Sequence, residues 1–256
     1  MAQTKSYYDL RDALKESGCP MCRARRAALE RYMDGLIYEK VNDAGVRKAV
    51  RQSRGFCERH AWDLVRHGAA LGVAILTRDV VRELLSIMRS GHFKGPGSWS
   101  VTRLREAVDS RQPRSATAEL VAALGPQGPC PACKHEAEID HALASSFVEN
   151  LHGPEGLLEA YRQSDGFCLP HVRQVLARVP DEATYAAILE VQLAHWSQLE
   201  AELSELVRKS DYRFADEEVG DEGTSWLRAI ASLAGESFQQ KRHRVQQRSS
   251  RPPKDD

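Results

Sequence analysis

All six cysteines of this 256-residue chain fall into four short motifs, and two histidines share them. Cys19-Pro20-Met21-Cys22 is followed by Gly55-Phe56-Cys57-Glu58-Arg59-His60, and Cys130-Pro131-Ala132-Cys133 by Gly166-Phe167-Cys168-Leu169-Pro170-His171. Two cysteines with two residues between them can turn both sulfurs toward one ion. A cysteine and a histidine at the same spacing do so on the first turn of a helix, where positions i and i+3 share a face. Two such half-sites supply three thiolates and one imidazole, a complete ligand set for a closed tetrahedral zinc site. The candidate metal ligands are therefore Cys19, Cys22, Cys57, His60, Cys130, Cys133, Cys168 and His171, and they are expected to hold two zinc ions. An iron–sulfur cluster held by three cysteines and one histidine is the alternative. Zinc with three thiolates and a neutral imidazole carries a net charge of minus one, which Arg23, Arg25, Arg59 and Lys134 stand near enough in sequence to offset. A closed site leaves no position for water or substrate, so its expected role is structural rather than hydrolytic, and no catalytic residue is assigned.

The ligands repeat. Each is offset from its counterpart by 111 residues, Cys19 to Cys130, Cys22 to Cys133, Cys57 to Cys168 and His60 to His171. The flanks agree as well: Arg51-Gln52-Ser53-Arg54-Gly55-Phe56-Cys57 matches Arg162-Gln163-Ser164-Asp165-Gly166-Phe167-Cys168 everywhere except at Arg54 and Asp165. Self-similarity of this kind argues for a duplicated structural unit. The spacing admits two closures. Each repeat can complete its own site, or the cysteine pair of one can meet the Cys-x-x-His of the other. The working expectation is an all-α protein of two duplicated helical units, each pinned by a Cys3His site, with a helical C-terminal extension. The units are placed at 6–90 and 116–208, with a linker at 91–115 and a C-terminal helix and basic disordered tail at 209–256.

The elements that must position these ligands read as helices. Proline after the first cysteine of each pair suits the first helical position. Ala24, Ala27, Ala28, Tyr32, Leu36 and Ile37 continue at helical spacing. Val46, Ala49 and Val50 mark a short helix that Gly55 ends in a left-handed conformation. Another helix starts near Cys57, and Leu76, Val80, Leu84, Leu85 and Met88 mark a longer one. In the second half, helices are expected over 131–151, 155–163 and 169–178, then a long one from an Asp181 cap to about Arg208. Short helices are expected over 101–109 and 116–124, a loop at 91–98, and a last amphipathic helix over 225–240. No segment alternates with period two, so strands are not expected.

Acidic and basic residues balance at 36 each, so nothing global points to nucleic acid or to an anionic membrane surface. The N-terminus lacks the apolar stretch of a signal peptide. The most apolar segment, 69–88, is interrupted by Arg78, Asp79, Arg82 and Glu83 and makes a poor membrane span. A cytoplasmic setting with reduced thiols follows, in which spaced cysteines favour metal or redox chemistry over structural disulfides.

The order Cys-Pro-x-Cys, then Tyr32, Leu36, Glu39 and Val41-Asn42-Asp43, then Gly-Phe-Cys-x-x-His, then Leu71-Gly72-Val73-Ala74-Ile75-Leu76 resembles an uncharacterised bacterial family, domain-of-unknown-function family 6062. The resemblance covers most of the first repeat and the motifs of the second. It implies paired metal sites and a helical architecture, and it brings no activity.

Other motifs have plainer readings. Glu138-Ile139-Asp140-His141 has the Glu-x-x-His spacing of di-iron bundles, but no second copy accompanies it, so Glu138 and His141 read as a solvated helix face. Tyr38 to Asp43 has no counterpart in the second repeat and reads as a helix end with capping residues. Leu189, Leu193, Trp196, Leu199, Leu203 and Leu206 form a stripe that is either core or a homodimer surface. Lys241, Arg242, Arg244, Arg248 and Arg251 make a basic tail with a weak claim on nucleic acid. The expected function is that of a helical metal-binding protein acting in macromolecular interaction or as a scaffold rather than as an enzyme. A redox protein using Cys-x-x-Cys thiols or iron–sulfur clusters is the alternative.

Overall fold

The computed structural model describes residues 3–90, 116–214 and 216–236. Among them every regular element is helical. The chain runs through α1 (Lys5–Ala13), α2 (Pro20–Asp34), a π-helical turn (Gly35–Glu39), α3 (Ala44–Gln52), α4 (Glu58–Asp63) and α5 (Ala70–Ser90). It continues through α6 (Ala116–Leu124), α7 (Pro131–Glu149), α8 (Leu158–Gln163), α9 (Leu169–Leu176) and α10 (Glu182–Lys209). Two 3-10 turns, Tyr212–Phe214 and Asp221–Thr224, lead to α11 (Ser225–Ala234). No helix among the described residues is long and apolar enough to cross a membrane. The expected helix over 101–109, the loop at 91–98 and the basic tail lie outside the described residues.

Two compact units form, and they differ from the consecutive pair expected at 6–90 and 116–208. One gathers Met1–Ala28 and Glu138–Asp256, and the other is Leu29–Ala137. The chain leaves the first unit within α2 and returns to it within α7, because both helices continue well past the cysteine pairs that start them.

The first unit has the larger core. Tyr7, Leu10, Met21, Phe147, Leu151, Tyr161, Phe167 and Ile188 are essentially inaccessible to water. Phe167 lies edge-on to Phe147 at 4.7 Å and stacks on Tyr161 at 4.6 Å, favourable arrangements for aromatic rings. Helix α1 was not expected from the sequence. Thr4 caps it, and its Tyr7, Leu10 and Ala13 are buried. Asp181 caps α10 by accepting from the Thr184 N–H at 2.8 Å, as anticipated. The face of α10 that is fully buried carries Thr184, Ile188, Val191 and Gln192. The leucine stripe is set beside it: Leu193 is exposed, while its remaining members are half-buried. The Trp196 indole N–H donates to Ser232 of α11 at 2.9 Å, so part of the stripe is engaged within the chain. Helix α11 stops at Ala234 rather than continuing to 240, because Gly235 turns the backbone into the left-handed region at φ 82°.

In the second unit, Val50 of α3 packs with Leu76 and Val80 of α5. Gly72 permits close contact between α5 and the π-helical turn: a Cβ there would lie 2.4 Å from the Ile37 carbonyl oxygen. Asp43 caps α3 through the Val46 N–H at 2.8 Å. Asp79, buried on α5, pairs with Arg47 at 2.6 Å and Arg51 at 3.5 Å. The Arg47 guanidinium, followed by Arg51 and Arg78, holds its carboxyl below the usual range.

A depressed folded-state pKa gives stability that is present above the unfolded value, about 3.9 for aspartate, and is lost as pH falls through the folded value. Asp79→Asn should therefore lower the melting temperature at neutral pH, and the gap from the native sequence should close as the pH is taken below about 4. Parallel melts across that range check this; a gap that is constant with pH would show that the ionised carboxylate contributes nothing. Gly72→Ala should also destabilise. The overpacking penalty of about 1–3 kcal/mol exceeds the gain in helix propensity of about 1 kcal/mol.

Candidate metal centres

The eight sequence-predicted residues assemble into two groups of four. Cys19, Cys22, Cys168 and His171 form one; Cys57, His60, Cys130 and Cys133 form the other. The crossed closure is the one adopted. Each cysteine pair meets the Cys-x-x-His motif from the other half of the sequence, which corrects the expectation that each repeat pins itself. Each group lies wholly within one compact unit.

Local structure explains how four separate segments present ligands in the same way. Cys57 and Cys168 are the N-caps of α4 and α9, in extended conformation. The carbonyls of Cys19 and Cys130 accept the first helical hydrogen bonds of α2 and α7, from Arg23 at 3.1 Å and Lys134 at 3.0 Å. Each half-site thus has one ligand at a helix start and its partner one turn along the same face. The glycines before the Phe-Cys dipeptides take positive φ, 99° at Gly55 and 73° at Gly166, a conformation that disfavours any other residue. Phe167 then enters the core, and the buried Gln192 amide oxygen accepts both its N–H at 3.0 Å and the Tyr161 hydroxyl at 2.6 Å.

Contacts besides the ligands themselves hold the crossing. The Gly18 N–H, just before the first pair, donates to Asp165 at 2.7 Å, just before Gly166-Phe167-Cys168. In the other unit the Gln127 N–H donates to the Gln52 carbonyl at 2.6 Å, and the Arg54 guanidinium reaches the Ala123 carbonyl at 2.6 Å and Glu83 at 2.5 Å. Arg54 and Asp165 are the one mismatch between the repeated flanks. At that position the first unit uses an acceptor and the second a donor to tie the same two segments together.

The geometry within each group fits a four-coordinate ion. His171 Nδ1 lies 3.3 Å from Cys19 Sγ, 3.4 Å from Cys22 Sγ and 3.1 Å from Cys168 Sγ, and Cys22 is 3.7 Å from Cys168. His60 Nδ1 lies 3.3 Å from Cys57, 3.3 Å from Cys133 and 3.7 Å from Cys130, and Cys57 is 3.5 Å from Cys133. A tetrahedron with zinc–sulfur bonds of about 2.3 Å and zinc–nitrogen bonds of about 2.0–2.1 Å has edges of about 3.8 and 3.5 Å. A disulfide needs sulfurs at about 2.05 Å, far inside the two sulfur–sulfur separations.

Both histidines turn their other nitrogen to a carboxylate. His171 Nε2 lies 3.4 Å from Asp140, which Arg25 pairs at 3.2 Å. His60 Nε2 lies 3.7 Å from Glu136, which in turn pairs with Arg59. A carboxylate behind the ring fixes its tautomer and orientation and makes the facing nitrogen a better ligand. Sequence reading gave neither acid this role. Cys133, Glu136 and Asp140 fall at i, i+3 and i+7 along α7, so their shared helical face was the available signal. Arg25 and Arg59 pair with these carboxylates, the Arg59 charge also favours the Cys57 thiolate, and Arg23 pairs with Glu16 at 3.8 Å. Glu138 and His141 are exposed, as expected of a solvated face.

Three adjacent thiols cannot all ionise without a balancing cation. Burial, followed by the hydrogen bond with Cys168, pushes the Cys19 thiol far up, whereas hydrogen bonds from Cys168 and Cys19 hold Cys22 far below the ordinary thiol range. Burial acts to lower the His171 pKa, but the hydrogen bond to Asp140 and the Cys168 and Cys22 sulfurs outweigh it and push it up to about 11. In the other group, burial and Cys57 push Cys133 up to about 12. Burial opposes ionisation of Cys57 too, yet the His60 backbone N–H and the neighbouring thiols bring it below the ordinary value. A divalent ion bound by either group would supply the missing positive charge and displace the protons that the thiols and imidazole otherwise retain.

The chain is similar to an uncharacterised 23.9 kDa protein, encoded in the xynA 3' region of Caldicellulosiruptor sp. (strain Rt8B.4), at 23% identity over 222 residues, covering 86% of this chain and 97% of that protein. No solved structure matches the chain. The family described as a family of unknown function, DUF6062, matches residues 1–240, and the chain belongs to it.

Proposed function

We propose that this protein holds two structural zinc ions, one in each Cys3His group, and that the folded scaffold they maintain serves to bind another macromolecule. The observation that carries the metal assignment is the two-sided use of each histidine. Nδ1 faces three sulfurs and Nε2 faces an arginine-paired carboxylate, in both groups. Buried thiols alone have no need of such an arrangement; an imidazole that must present one lone pair in one direction does. The closed four-ligand sets favour a structural role over catalysis.

The expected contribution of the metals is large. Apparent zinc-binding free energies in small structural sites are about 10–16 kcal/mol, comparable with the whole stability of an ordinary domain at about 5–15 kcal/mol. An interaction role is supported by the outer face of α11, where Trp226, Leu227, Ile230 and Leu233 remain exposed. Apolar side chains gathered on one exposed helix face are a common feature of binding surfaces. That face is a better candidate for a protein partner than the leucine stripe of α10, part of which α11 already engages.

Elemental analysis and native mass spectrometry of protein purified without added metal should give two zinc ions per colourless chain. Asp140→Asn and Glu136→Gln should each weaken one site by about 10–100-fold and leave the other unchanged. A metal-free chain would overturn the proposal. A brown chain whose visible absorption bleaches on reduction would replace zinc by iron–sulfur clusters.

A further inference from the structure

The two ligand sets have the same composition but different cover. Cys19, Cys22, Cys168 and His171 are all buried, whereas in the second set only His60 is buried and Cys57, Cys130 and Cys133 are part-exposed. The chain leaving α11 supplies cover for the first set. Gly235 takes φ 82° and ψ 165° immediately after the helix. A Cβ at Gly235 would lie 3.6 Å from Cys22 Sγ and 3.8 Å from Cys168 Sγ, so the backbone itself is laid against the sulfurs. The Glu236 N–H donates to Cys22 Sγ at 3.5 Å, and the Glu236 carboxylate pairs with Arg26 at 3.4 Å. This strap excludes solvent from the thiolates, engages a sulfur lone pair and is anchored to α2 by an ion pair.

Resting on the metal-binding reading above, we propose that the Cys57–His60–Cys130–Cys133 site is a peroxide-responsive switch that releases its metal on oxidation, while the Gly235–Glu236 strap preserves the other site under the same conditions. A part-exposed thiolate attacks hydrogen peroxide, the O–O bond breaks, and a sulfenic acid and hydroxide form. A second thiolate of the set attacks the sulfenic sulfur, forms the disulfide and expels another hydroxide. Two protons from solvent convert both hydroxides to water. The two sulfurs together lose two electrons and the peroxide gains them, while zinc leaves as the unchanged divalent ion. Cys57 and Cys133, 3.5 Å apart, are well placed to form the bond. Loss of the ion frees the starts of α4 and α7 from each other and loosens Leu29–Ala137.

The test uses the full zinc-loaded chain, dilute hydrogen peroxide, a zinc-sensitive dye and peptide mapping of the thiols. Release should be biphasic. The first ion should leave with a disulfide confined to Cys57, Cys130 and Cys133, and the second should leave about tenfold more slowly or slower still. Gly235→Val, strained at positive φ, should accelerate the second phase and not the first. Arg26→Gln, which loosens the strap through Glu236 without touching a ligand, should act in the same direction. Two bound ions released at one rate, first oxidation at Cys19, Cys22 or Cys168, or variants that leave the second phase unchanged would overturn this inference and leave the structural-metal proposal standing. A chain that binds no metal would overturn both.

Discussion

Three sulfurs and one imidazole nitrogen from distant segments must meet at a point, and this chain satisfies that demand twice. Four helices start at members of these groups: α2 at Cys19, α4 at Cys57, α7 at Cys130 and α9 at Cys168. The left-handed turns at Gly55 and Gly166, the burial of Phe167 and the polar ties ahead of each cysteine pair set that convergence. The carboxylates behind the histidines follow from it too, since an imidazole with one face committed to sulfur needs a partner on the other.

Much of this was legible because the chemistry is local. The eight candidate ligands are all contained in Cys-x-x-Cys and Cys-x-x-His motifs, and the Asp181 cap, the Asp43 cap and the course of α7 follow from short-range rules. The crossing was not legible. An offset of 111 residues makes the two Cys-x-x-His motifs equivalent as partners for either cysteine pair, so spacing alone cannot choose between them. The choice is made by contacts such as Gly18 to Asp165 and Gln127 to Gln52, which join segments 147 and 75 residues apart. The Arg54/Asp165 mismatch carried part of that information, but its meaning depends on knowing which segments meet. Helix α1 and the end of α11 were missed for different reasons. The first has a short apolar face with a threonine cap, and the second depends on the φ of a single glycine.

Equivalent ligands in unequal surroundings give the two sites different prospects. The Cys19 site sits beside the aromatic core of its unit and under the turn that closes α11. In the other unit Phe56, just before Cys57, packs on the smaller Val50, Leu76 and Val80 cluster, and the Cys57 site keeps three sulfurs part-exposed. A closed zinc site is redox-inert at the metal, so its vulnerability is set by access to its thiolates. Burial therefore differentiates two sites that ligand identity would make alike.

In the proposed sites each ion joins the cysteine pair of one half of the sequence to the Cys-x-x-His of the other. Substitution with an NMR-active cadmium isotope tests it directly, because each cadmium resonance couples through sulfur to the β protons of the cysteines that bind it. Crossed ligation should give one resonance coupled to Cys19, Cys22 and Cys168 and a second coupled to Cys57, Cys130 and Cys133. A resonance coupled to Cys19, Cys22 and Cys57, with the other coupled to Cys130, Cys133 and Cys168, would contradict it.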